Sequence, residues 1–209
     1  MIGISFTQDM LRMVLTCKKC GDISYHPKCK CGSSEFVKTM TRRIINPKPP
    51  KDIHLDLLRI NYKCRYGKKG DKLYIKEALM RSQSGLVTYA FDGLPVMING
   101  ESQEWKWKPK KLGAMYMPEI AARFHIENNG VTPQKIQDIT EEDAVREGIL
   151  DGGCTNCGNS SYPSPCGCDN PTPDFRDAFI YLWNSINEKR GYSWMRNNWV
   201  WAINFKRIQ

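Results

Sequence analysis

The sequence predicts an α+β fold carrying two cysteine-rich loops. Three features support this: short alternating apolar segments suited to strands, a few capped amphipathic segments suited to helices, and one cysteine spacing that occurs twice. The 209 residues suffice for one good core with small attachments. Hydrophobic content is 41%, and no apolar run approaches membrane-spanning length. Met1–Leu15 is interrupted by Gln8, Asp9 and Arg12 and lacks a small-residue cleavage site, so it does not read as a signal peptide. A soluble, cytoplasmic protein is the expectation. The formal charge of +9 favours polyanionic partners.

In order, Ile2–Phe6 reads as a strand and Asp9–Thr16 as a short helix offering Met10, Leu11, Met13 and Val14 for burial. Asn46–Lys51 is a proline-rich connector that stops regular structure. His54–Tyr62 fits a strand or a helix equally. Within Gly70–Met80, Leu73 and Ile75 alternate with Lys72, Tyr74 and Lys76 as a strand, and Asp92-Gly93 is the turn of a hairpin formed by Thr88–Phe91 and Pro95–Ile98. Thr140–Gly148 has an N-cap threonine, acids in its first turn and a glycine stop, which together predict a helix. Pro173–Ile186 is an amphipathic helix, and Trp199–Ile208 is a closing strand.

Nine cysteines are many for a chain of this kind. Eight fall into two segments of identical spacing, Cys17, Cys20, Cys29, Cys31 and Cys154, Cys157, Cys166, Cys168. Glycine, serine and tyrosine recur at matching offsets, namely Gly21/Gly158, Ser24/Ser161 and Tyr25/Tyr162. Two close thiol pairs per loop suit tetrahedral Zn²⁺, and the metal would supply folding energy that such polar loops lack. Disulfides fit poorly, because C-x-C partners are awkwardly close for a bridge and no export signal is read. Two structural zinc sites are therefore expected, each closed by four sulfurs. Cys64 is left as a small buried residue.

Lys38, Thr41, Arg42 and Arg43 crowd positive charge around one hydroxyl. The arginines would ease loss of the Lys38 proton, and a neutral lysine can activate a threonine. The same residues also fit a basic, solvated strand. Farther on, Trp105 and Trp107 alternate with Lys106 and Lys108, a pattern that suits base stacking with phosphate contact and equally a half-buried strand.

The run KTMTRR (38–43), the strand GDKLYIKE with Glu77, the segment Met117-Pro118 to Arg123, and the closing helix, Gly191-x-Ser193-Trp194 turn and strand together resemble ASCH domains. These are a branch of the PUA-like fold common in phage and prophage proteins. Ala122 stands where that pattern has serine. The resemblance covers most of the chain outside the cysteine loops and the stretches 48–62 and 84–104. It implies a single domain over 1–209, a PUA-like mixed β-barrel with flanking helices, with the zinc loops 17–31 and 154–168 as inserts. If the chain is phage-encoded, it would act in the host cytoplasm.

The K-x-x-T-x-R and T-E-x-x-A-x-x-E segments resemble those of small amidohydrolases that deacetylate N4-acetylcytidine. By that resemblance Lys38, Thr41 and Glu147 would be catalytic. Arg42, Arg43, Glu77, Trp105, Trp107, Lys108 and Arg123 are the expected contacts to a modified nucleoside or to single-stranded RNA or DNA. The alternatives are a binding module for RNA or a modified base, and a ribonuclease.

Overall fold

The computed structural model describes residues 1–6, 8–20, 22–25, 29–31, 33, 36–149 and 175–208, with backbone alone at residues 8 and 9. The second cysteine loop, with Cys154, Cys157, Cys166 and Cys168, lies outside the described residues. The strands are β1 (Ile2–Ser5), β2 (Met40–Ile44), β3 (Lys72–Lys76), β4 (Leu79–Arg81), β5 (Val87–Tyr89), β6 (Met97–Ile98), β7 (Glu101–Ser102), β8 (Lys111–Leu112), β9 (His125–Lys135) and β10 (Trp199–Arg207). The helices are α1 (Gln8–Leu15), α2 (Leu55–Asn61), α3 (Glu141–Arg146) and α4 (Phe175–Asn187), with short 3-10 turns between elements. The class is mixed α+β, mostly sheet with few helices.

The chain forms two compact units. The first comprises Met1–Glu35, Tyr66–Asn128 and Lys206–Gln209; the second comprises Phe36–Arg65 and Asn129–Phe205. In the first, β1 pairs parallel with β3, placing Ile4 opposite Ile75, and β3 pairs antiparallel with the start of β9. The burial of Ile4, Leu73, Ile75 and Ile126 follows from that register. α1 buries Leu11, Val14 and Leu15 on one face. β4 lies between β5 and β8, and a second core gathers there from Leu79, Val87, Tyr89, Val96, Leu112, Met117 and Ala121.

The hairpin at Asp92-Gly93 forms in shortened form. Thr88 bridges Pro95 and the Tyr89 amide donates to the Leu94 carbonyl, but β6 pairs with β7 instead of extending the β5 ladder. Pro95 has no N–H to carry the ladder on. Short strands broken by Gly85, Gly93, Pro95 and Gly100 give open strand orders. Among the described residues no barrel closes, where the resemblance implied one.

In the second unit β2 pairs antiparallel with β10, Ile203 facing Thr41 and Ala202 facing Arg42. Val200, Trp201, Ala202 and Ile203 are all buried, so this closing strand is covered on both faces. α4 buries Ala178 and Phe179, and Trp183 one turn further on, against Ile136, Ile139, Ala144 and Trp194. The Glu141 carboxylate accepts from the Phe175 and Arg176 amides at 2.8 and 3.1 Å, tying α3 to the first turn of α4. Residues 55–61, ambiguous in sequence, are helical; the His54 side chain caps them by accepting from the Asp56 amide, and Leu58 is their buried residue. None of the described helices is long and apolar enough to cross a membrane.

Candidate functional site

The second unit holds a buried charge cluster assembled from residues far apart in sequence. α3 starts where Thr140 Oγ1 accepts from the Asp143 amide, and it ends at Gly148, whose φ of 97° suits glycine. Glu147 is therefore the last right-handed residue, with its amide on the Asp143 carbonyl at 2.9 Å. Asp143 and Glu147 are one turn apart and share a face. That face meets Arg42: Nη1 donates to Glu147 Oε1 at 3.1 Å and Nη2 to Asp143 Oδ2 at 2.5 Å. The Gln134 carboxamide, oriented with its oxygen toward the guanidinium, accepts from Arg42 Nε at 3.0 Å and Nη2 at 2.8 Å.

Lys38 enters the same cluster from just before β2. Its ammonium donates to Glu147 Oε2 at 2.7 Å and to the main-chain carbonyl of Glu147, so it also neutralises the negative end of α3. Lys38 is 1% exposed and Glu147 2% exposed. Burial pushes the Lys38 pKa below the usual lysine value; Glu147 opposes this, and Arg43 and Arg42 push the same way as burial. The solvated-glutamate reading natural for a helix-end residue before glycine does not hold here.

Thr41 is also buried, at 1% exposure. Strand alternation, however, directs its side chain to the face of β2 opposite that of Arg42. The structure thus brings Lys38, Arg42 and Glu147 together and sets Thr41 beside them on the other face, with half-buried Arg43.

Glu77 and Arg123 belong to the first unit and bind each other. The guanidinium grips the carboxylate through Nε at 2.9 Å and Nη2 at 2.7 Å, and Nη1 donates to Asp92 Oδ2 at 2.7 Å. The Arg123 plane sits 3.8 Å from the Tyr89 ring centre, 4.7 Å from Phe124 and 5.5 Å from Tyr25. Burial pushes the Glu77 pKa up, with the Arg123 fork pulling it back. Burial also disfavours the Arg123 charge, but its bonds to Glu77 and Asp92 outweigh that and raise its pKa. Burial pushes the Tyr89 phenol up to about 12.

Trp105 and Trp107 meet edge to face at 4.9 Å. Trp105 leans on the second core and donates to the Pro109 carbonyl at 3.0 Å, whereas Trp107 and Lys108 are exposed. The pair therefore offers one outward ring rather than two stacking platforms.

Cys17, Cys20, Cys29 and Cys31 bring their sulfurs within 4.8 Å of one another. Cys17–Cys31 is 3.7 Å and Cys20–Cys29 3.5 Å. Four sulfurs at ~2.3 Å from a tetrahedral centre stand ~3.8 Å apart, so these four residues fit a metal ion and lie well outside disulfide length. The Cys17 pKa is lowered to about 6, chiefly by a bond from the Cys20 amide. Cys20 is pushed up to about 12: the Asp22 amide lowers it, but Cys29 and burial prevail. Cys64 is half-buried. Tyr25 from this loop covers Arg123, so the cysteine loop shields the Glu77–Arg123 pair.

Sequence reading missed Asp143, Gln134, Asp92 and Tyr89 as members of these clusters. Asp143 was within reach, since it precedes Glu147 by one helical turn; Asp92 was absorbed into a turn motif. Comparison of the chain with protein-family models, with curated proteins and with solved structures finds no match.

Proposed function

We propose that this protein handles protons on an amide-bearing pyrimidine, as an amidohydrolase acting on an acylated base, with Lys38 and Glu147 as the working pair. The observation that carries this reading is the 2.7 Å contact between the Lys38 ammonium and Glu147, made across 109 residues of sequence inside a buried cluster. An amide needs a base to activate the nucleophile and an acid to protonate the leaving amine. A lysine whose proton is loosened by burial, touching a carboxylate, supplies both. The resemblance to the ASCH amidohydrolases suggests Thr41 Oγ1 as the nucleophile, but β2 turns Thr41 to its other face, which favours a water held by the pair. Thr41→Val separates the two, because it removes only the hydroxyl. A PUA-like architecture and a zinc ion on the first cysteine loop belong to the same proposal, supported by the motif resemblance and by the four-sulfur geometry.

A second reading is favoured by the burial of the pair, whose side chains are 0% and 3% exposed. In it the ions pin α3 to β2, and the protein binds RNA or a modified base without turnover. Incubation with N4-acetylcytidine, followed by absorbance for released cytidine, decides. The hydrolase reading expects turnover that falls at least a hundredfold in Lys38→Met and in Glu147→Gln. No turnover by the wild-type protein, with salt-sensitive RNA binding retained, would leave the binding module; cleavage of single-stranded RNA lost in Lys38→Met would make it a ribonuclease.

A further inference from the structure

A guanidinium carries N–H donors in a fixed planar fork, and every nitrogen of Arg42 has an acceptor within the second unit. Nε and Nη2 donate to the Gln134 carboxamide oxygen at 3.0 and 2.8 Å. Nη2 also donates to Asp143 Oδ2 at 2.5 Å, and Nη1 to Glu147 Oε1 at 3.1 Å. Met40 Sδ, 3.2 Å from Nη1, is a further weak acceptor. Arg42 is 6% exposed, so its fork is committed to the cluster rather than offered to a substrate. The sequence suggested a substrate contact at Arg42; its partner here is Glu147.

What Arg42 does there is divide a carboxylate. Glu147 Oε1 faces Arg42, and Oε2 faces the Lys38 ammonium at 2.7 Å. The fork can hold Oε1 only while its own plane is fixed. Gln134 fixes it, because one oxygen accepting from both Nε and Nη2 sets the rotation of the guanidinium. Gln134 is half-buried near the end of β9, and strand alternation puts its neighbour Lys135 on the other face, over Trp199. Its residue type matters as much as its place. A glutamate would bond the fork more strongly, since a charged acceptor roughly doubles such a bond. With glutamine there, Lys38 and Arg42 face two carboxylates, Asp143 and Glu147. The other charges near them are Arg43, half-buried on β2, and Arg146, 3.7 Å from Asp143. A third carboxylate would add negative potential and tighten the Lys38 proton; a neutral amide supplies the geometry without that charge.

We propose that Gln134 is a positioning residue: acting through Arg42, it fixes the Glu147 carboxylate with Oε2 toward Lys38 while adding no charge to the cluster. The kinetic consequences rest on the amidohydrolase reading above; the electrostatic ones do not. Gln134 touches neither Lys38 nor Glu147 directly, and both of its bonds are to the guanidinium. Its effect on the pair therefore passes through one side chain, which separates it from the catalytic residues.

Gln134→Glu and Gln134→Met test this in the full chain. In Gln134→Glu the fork keeps an acceptor in the same place and the cluster gains a negative charge. The Lys38 pKa, read by nitrogen-15 NMR on lysine-labelled protein, is expected to rise by ~0.5 or more. With N4-acetylcytidine, the rising limb of the kcat pH profile moves to higher pH by the same amount, and KM holds. Gln134→Met removes the acceptor and no charge. Its kcat is expected to fall about tenfold across the profile with KM unchanged, because the pair is loosened and no substrate contact is lost. An unmoved Lys38 pKa in Gln134→Glu overturns the proposal, as does a raised KM with full kcat in Gln134→Met. The NMR measurement uses no acyl substrate, so a wild-type protein without turnover counts against the hydrolase reading alone.

Discussion

Each unit buries one cluster of charges, and the two clusters are built on different cations. In the first unit a guanidinium sits between two carboxylates, Glu77 and Asp92, under three aromatic rings. In the second, Lys38 and Arg42 share Glu147, with Asp143 on the outer side of Arg42. Arginine keeps its proton at any accessible pH, and its planar fork matches a carboxylate with two parallel bonds. Lysine is a point charge that releases its proton when desolvated. The balance of forces follows: ion pairing wins at Arg123, which is held in its charged form, and burial wins at Lys38, whose proton is loosened. The first cluster holds its cation in the charged form, whereas in the second the lysine is the group whose charge burial disfavours.

The largest effect that sharpens this contrast is metal removal. Structural zinc sites in zinc-finger peptides bind with apparent energies of ~10–16 kcal/mol, so stripping a metal from the first cysteine loop should unfold it. Chelator is expected to open Cys17, Cys20, Cys29 and Cys31 to a thiol reagent and to uncover Arg123 by releasing Tyr25, while Lys38 stays as it was. Metal analysis of the untreated protein should find at least one zinc per chain and one fewer in Cys20→Ser. Equal metal content in the two proteins would remove the site.

Breaking either ion cluster comes next. Taking one partner from a buried pair leaves a bare charge and costs ~3–5 kcal/mol. Lys38→Met, Glu147→Gln and Arg123→Met should each lower the urea midpoint accordingly. The clusters separate on rescue: Arg123→Lys stays destabilised because the fork and the ring stacking are lost, whereas Lys38→Met combined with Glu147→Leu recovers most of the stability by removing both charges. Arg123→Lys with wild-type stability would erase the distinction.

The smallest effect is at the helix that carries the carboxylates. Thr140→Ala removes the cap of α3 and should cost about 1 kcal/mol, read as a lowered urea midpoint. The first unit's Glu77–Arg123 pair should be unaffected.

Some of this was legible in the sequence, for local reasons. The cap, acids and glycine stop of α3 are all within nine residues, and the helix forms within those bounds. The cysteine spacing names its own ligands, and the first loop closes as the spacing implies. Positive charge beside Lys38 and its loosened proton were readable together. Other features depend on contacts between distant segments. Glu147 looks solvated until β2 is laid against α3, and Asp92 looks like a turn residue until Arg123 reaches it. The barrel was inferred from motifs, while the glycine and proline breaks between residues 85 and 100 decide how far the strands can run.

The most direct test of the contrast is the pKa of Lys38, measured by nitrogen-15 NMR on lysine-labelled protein with Glu147→Gln as a control. With Glu147 present, burial should already hold the ammonium below 10.5, and without the opposing carboxylate the value should fall further. Because the unfolded chain then binds more protons than the folded one, stability attributable to Lys38 should rise with pH through that window up to 10.5. A Lys38 that titrates at or above 10.5 in the folded protein would make its cluster as fixed as the one around Arg123, and would contradict the assignment of proton chemistry to the second unit.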